Sequence, residues 1–143
     1  MAHNDQHVDV HHAGDSHELR VTVENENEIP INLSEEEAEA HWLLFESAGD
    51  SHDDLLAVLE KQATNDEFND ESDEIFFAEA LAGHLIVNID SGDTTNLVDW
   101  DALDTEADEE DVPVMSKSFH HRLRITVDGH RATVLHGEFI IYR

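Results

Sequence analysis

The strongest constraint on this chain is the dipeptide Asp128-Gly129, set between the alternating runs RLRITV and HRATVL. Asp-Gly tolerates the positive φ that a two-residue type I′ turn needs, and such a turn fixes the register of its flanking strands. Val127 then opposes His130, Ile125 opposes Ala132 and Leu123 opposes Val134. Leu123 and Ile125 point inward. Arg122 and Arg124 therefore point outward, the latter across from Thr133, and Arg131 belongs to the same outer face. Two positions further from the turn, His121 lies opposite His136. A bend at His136-Gly137 leads into a last strand, EFIIY.

The same period of two recurs upstream. Leu19, Val21 and Val23 alternate with Arg20, Thr22 and Glu24, and Ile29, Ile31 and Leu33 repeat the pattern after the turn ENENE. Pro30 cannot donate to a ladder and belongs at an edge or a strand start. IFFAEAL and HLIVNID read as strands on either side of Gly83, and SGDTTNLVDW as a turn at Ser91-Gly92 with a short strand.

Two segments read both ways. Residues 34–49 open with Ser34 and Glu37 in capping-box spacing and close on Gly49, so local propensity favours a helix, whereas HWLLF suits a buried strand. DDLLAVLEK (53–61) has the same ambiguity. Many short strands without βα alternation predict an all-β fold, an antiparallel β-sandwich with long acidic loops and room for one short helix. The expected organisation is a flexible His-rich arm over 1–13 and a single domain over 14–143, in which 47–80 could be an insertion.

Composition decides whether such a chain folds and where. Its 35 Asp+Glu against 7 Lys+Arg give a formal charge of −28. Charge of that size with few core formers means disorder, but Leu, Ile, Val and Phe supply 38 of 143 residues, above the roughly 20% disordered limit. Self-repulsion works against the compact state, and at about 1 M salt the Debye length shrinks to roughly 3 Å. The acids occupy every loop and lysine is confined to Lys61 and Lys117, the composition expected of a protein living in molar salt. The rival explanation is an acidic DNA mimic or a binder of a basic partner.

Phosphate would be repelled, so nucleic acid is not an expected partner. Without cysteine there is no disulfide frame, thiolate nucleophile or cysteine metal cluster. The start MAHNDQHVDV lacks the pattern of a secretory signal, and no apolar run reaches membrane-span length, so no membrane association is expected.

GDSHELRVTVENENEIPINLS (14–34) resembles the opening of the small immunoglobulin-like modules of tailed phages, such as the N-terminal domain of baseplate upper proteins. Gly14-Asp15 and Pro30 to Ser34 occupy that motif's Gly-Asp and Pro-hydrophobic-polar-Leu-Ser/Thr places. WLLF, ALDT (102–105), RITVDGHRATV and GEFII (137–141) fit its later slots, so the likeness spans most of 14–142. It implies that the sandwich is immunoglobulin-like and that the chain is a non-enzymatic virion structural protein: a tail or baseplate, neck-adaptor or capsid-decoration subunit. Its partners would be other virion proteins and copies of itself. With the halophilic composition, the expected location is the virion of a haloarchaeal tailed virus, assembled in the high-salt cytoplasm of its host.

Several residues that could carry chemistry also have plainer roles. His3, His7, His11, His12 and His17 could form a loose metal-binding arm, but their spacing fits no closed tetrahedral site. A His121–His136 cross-strand pair could bridge a metal or act as a proton switch, and the plainer, favoured reading is two histidines closing the end of a core. These histidines underlie the alternative function, a haloarchaeal ligand- or metal-binding β-module. Carboxylate pairs such as Asp53-Asp54 arise freely among 35 acids and do not identify an active site. The oxygen-rich window 90–101 lacks the order of an EF-hand loop. No catalytic residue and no cofactor is expected. Arg122, Arg124 and Arg131 are the candidate partner contacts, with intramolecular pairing to local acids as the equal alternative.

Overall fold

The computed structural model describes residues 5–6 (backbone only), 9–25, 27–34, 38–95, 97–100, 116–127 and 129–143. The fold is an all-β sandwich of two sheets. One contains β1 (Asp5–Gln6), β2 (Asp9–His12), β4 (Glu39–Phe45), β5 (Leu59–Thr64), β8 (Ser116–Val127) and β9 (His130–Tyr142). Its order is β1-β9-β8-β4-β5, with β2 also on β9; β1 and β2 run parallel to β9 and all other pairs are antiparallel. The second sheet is β3 (His17–Thr22), β7 (His84–Ile89) and β6 (Ile75–Glu79), in the order β3-β7-β6.

The inner faces meet in one core. Leu19, Val21, Leu85, Val87, Ile75 and Phe77 face Trp42, Leu44, Leu123, Ile125, Phe139 and Ile141, all buried. A single helical turn, α1 (Ser91–Thr95), follows β7 where a short strand was expected.

Tertiary context decides the two segments that read both ways and changes several other elements. Residues 39–45 are strand, not the helix that local propensity favours. Ala40, Trp42 and Leu44 fill the inner face, while Leu43 and Phe45, equally buried, face outward. An element buried on both sides can be apolar throughout, and tertiary burial overrides the capping signal. DDLLAVLEK divides into a 3₁₀ turn at Asp54–Leu56 and the start of β5, so segment 47–80 contributes a strand to each sheet.

The second apolar run at 29–33 forms one isolated bridge, Glu24–Pro30, and then irregular chain. Its groups are satisfied piecemeal: Ile31 N–H donates to Val23 O (2.8 Å) and Leu33 N–H to Ala80 O (2.7 Å). The arm is in part a strand, because Asp9–His12 pairs with Phe139–Tyr142 and closes the edge of β9.

The hairpin register holds through Arg124–Thr133 and then slips. Leu123 pairs with Leu135, leaving Val134 as the extra residue of a β-bulge. The bulge reverses which residues of β9 face the core, so that Val134 and Leu135 are both buried and Phe139 and Ile141 point inward. As a result His121 opposes Gly137, and Arg122 opposes His136.

Candidate functional site

The bulge separates the two histidines expected to pair. His121 is fully buried, and its Nδ1 accepts the Trp42 indole N–H at 3.2 Å; its ring also packs against Phe139. An imidazole that accepts at Nδ1 carries its proton on Nε2, so His121 is neutral and that nitrogen is unavailable to a metal. His136 is on the outer face, 6.1 Å from the His120 ring. Burial first, then the neighbouring His136 and Arg122, hold His120 below the ordinary histidine value. This juxtaposition was not foreseen, because an unbulged register places His120 and His136 on opposite faces.

Arg122 and Arg124 do face outward, but both are taken up within the chain. Their guanidinium groups grip one carboxylate, Arg122 at Asp54 Oδ1 and Arg124 at Oδ2, each at 2.5 Å. Arg122 also donates to Ser51 O and lies 5.3 Å from the Phe45 ring. Arg124 donates to His41 Nδ1 (3.2 Å), whose Nε2 bonds Glu60 (2.9 Å). Partial burial opposes ionisation of Asp54, but the Arg124 and Arg122 contacts outweigh it and hold the carboxyl below its ordinary range. The two 3₁₀ turns bearing Ser51 (Ala48–His52) and Asp54 (Asp54–Leu56) thus lie against the outer face of the sheet, beside Leu43 and Phe45. The intramolecular alternative describes these two arginines. Arg131 is different: it is exposed and has no partner among the described residues.

The N-terminal histidines divide. His3 and His7 lie outside the described residues, as do the acids at 101–111 and the ALDT slot. His11 is buried and 4.9 Å from the His17 ring, and His17 bonds Asp9 at 2.9 Å. The hydroxyl of Thr94, itself fully buried, accepts from Gly14 N–H (3.1 Å) and lies 3.4 Å from His11 Nε2. His12 is exposed and pairs with Asp15. Among the described residues no group of three or more His, Asp or Glu is arranged to hold a metal ion, and no helix is long and apolar enough to cross a membrane.

Lys61 was not singled out in the sequence. It stands opposite Trp42 on the inner face, 5% exposed, with Nζ 2.7 Å from Asp93 of α1. That contact engages an acid of the 90–101 window in the fold itself. A lysine among Leu, Val and Gln at strand spacing gives no signal of burial.

A cavity of about 460 Å³ opens where β3 leaves its sheet beside the β8–β9 hairpin, lined by Val23, Ile31, Ile125, Val127, Ala132, His130 and Arg131. No protein-family model matches this chain, and no curated protein or solved structure matches it either.

Proposed function

We propose that this protein is a non-enzymatic, salt-adapted structural module with an immunoglobulin-like sandwich, a subunit of a haloarchaeal tailed-virus particle that works through protein–protein assembly. The observation that carries the reading is the strand order. β2-β9-β8-β4-β5 facing β3-β7-β6 corresponds to the G-F-C-C′ sheet of a variable-type domain facing its B-E-D sheet, with β2 as a first strand parallel to the last. Trp42 on β4 takes the place of the buried Trp on strand C, with His121 of β8 and Phe139 of β9 packed against it from the same sheet. The resemblance of residues 14–34 to phage modules adds the virion context, and the charge of −28 adds the salt.

Two measurements test the two halves of this proposal. Purified particles of the host's virus should contain the chain at fixed stoichiometry with a capsid or tail protein; a chain found only in the cell fraction overturns the virion assignment. Melting followed in molar and in low KCl should show a lower transition as salt is removed, because the Debye length then grows past the spacing of surface charges. An unchanged transition overturns the salt adaptation.

A further inference from the structure

We propose that the cavity at the hairpin end is a binding site for a small amphipathic anion, an aliphatic chain ending in a carboxylate. This does not depend on the virion reading.

Three observations converge on it. The walls are aliphatic side chains, Val23 and Ile31 from the turn that follows β3 on one side and Ile125, Val127 and Ala132 of the β8–β9 hairpin on the other, and the volume of about 460 Å³ is that of a small-molecule pocket. The first wall is fixed in place. Val23 N–H donates to Gly83 O (2.9 Å), Ile31 N–H donates to Val23 O, and the Gly83 Cα sits so close that a Cβ there would be 2.5 Å from Val23 O.

The charge at the mouth is the third. Of the seven Lys and Arg residues, Arg20, Lys61, Lys117, Arg122 and Arg124 pair with carboxylates, and Arg143 lies over Trp100. Arg131 alone has no partner among the described residues, although acids outnumber bases five to one, and it lines the cavity beside His130. A guanidinium offers a planar fork to a carboxylate, while the apolar walls take the chain behind it. In molar salt the long-range attraction is screened, so aliphatic burial supplies most of the affinity and the arginine supplies the preference for the anionic end.

The test uses octanoate and 1-octanol, which share a chain and differ in the end group, titrated into the full protein in molar KCl and followed by methyl and amide NMR shifts. Octanoate should shift Val23, Ile31, Ile125, Val127 and Ala132 saturably and bind about tenfold more tightly than the alcohol, the worth of one charge-assisted hydrogen bond. Arg131→Gln should abolish that preference while leaving alcohol binding in place. Ala132→Phe should block both ligands in a protein that still melts cooperatively. Shifts scattered over the surface, no saturation, or an unchanged octanoate preference in Arg131→Gln would overturn the proposal. The last does so even if Ala132→Phe fails to fold.

Discussion

The two ends of the sandwich are finished by opposite means. β7 runs from His84, beside Thr22, to Ile89, beside His17, so α1 and the Val23–Ile31 turn lie at opposite ends of the same strand. At the α1 end the closure is polar and internal. Thr94 ties Gly14 and His11 to the helix, and Asp93 meets Lys61 between the sheets. At the hairpin end the closure is apolar and incomplete, with aliphatic walls around open space and a cation at the rim. Buried polar groups must find partners and so draw the chain shut, whereas apolar walls tolerate a gap that is energetically modest until something fills it.

The largest effect should come from breaking the polar end. Asp93→Ala leaves the Lys61 ammonium almost buried without a counter-charge and should cost about 3–5 kcal/mol, read as a lower midpoint in chemical denaturation. Lys61→Met removes charge and desolvation together and should be neutral or stabilising, and the double variant should recover most of the Asp93→Ala loss. A loss below about 1 kcal/mol in Asp93→Ala would mean the pair is solvated and the contrast between the ends is false.

At the hairpin end the vulnerable point is backbone. Gly83 has φ +72°, where a side chain is strained, and an added Cβ meets Val23 O at 2.5 Å and Ile31 O at 2.9 Å. Gly83→Ala should therefore cost about 2 kcal/mol or more and displace the cavity wall, so octanoate shifts should weaken along with stability. Gly129→Ala provides the control: it has a similar φ of +76° but nothing within 4 Å of its Cβ, and it should carry the conformational cost alone.

Much of the fold was legible because period-two alternation and one Asp-Gly turn carry most of the strand information. Leu19 to Val23, the strands about Gly83 and the near half of the hairpin follow from them directly. What escaped was set by tertiary context. Trp42 to Phe45 become strand only because β5 and β8 flank them, and the capping-type spacing of Ser34 and Glu37 cannot register that. One bulged residue, Val134, moves His136 away from His121, and nothing in the sequence around it marks a bulge. Arg122 and Arg124 were correctly placed outward, but Asp54 lies about seventy residues away in sequence, one acid among many. The cavity was invisible for the same reason, since its two walls, the turn after β3 and the β8–β9 hairpin, lie far apart in sequence.

The smallest effect sharpens the polar end further and is one of pH. His11 is held below the ordinary histidine value of 6.5, first by burial and then by the neighbouring His17, with Asp9 and Asp15 acting the other way. Thr94 and Phe139 are the uncharged groups beside it. A lowered pKa means the folded state binds fewer protons than the unfolded one. This contribution to stability is therefore complete above about pH 6.5 and is lost as pH falls through the lower folded value. His120, depressed in the same direction, adds to the slope, whereas Asp54 acts only in the more acidic carboxylate window. Melting in molar KCl between pH 7 and pH 5 should show falling stability, with a shallower slope in His11→Asn. Because His11 lies on β2, its protonation should also loosen the pairing with β9, and amide exchange at Val10 to His12 should accelerate before that of β3 or β7. Exchange that rises uniformly over the sandwich would place the titration in global unfolding and separate His11 from the β2–β9 pairing.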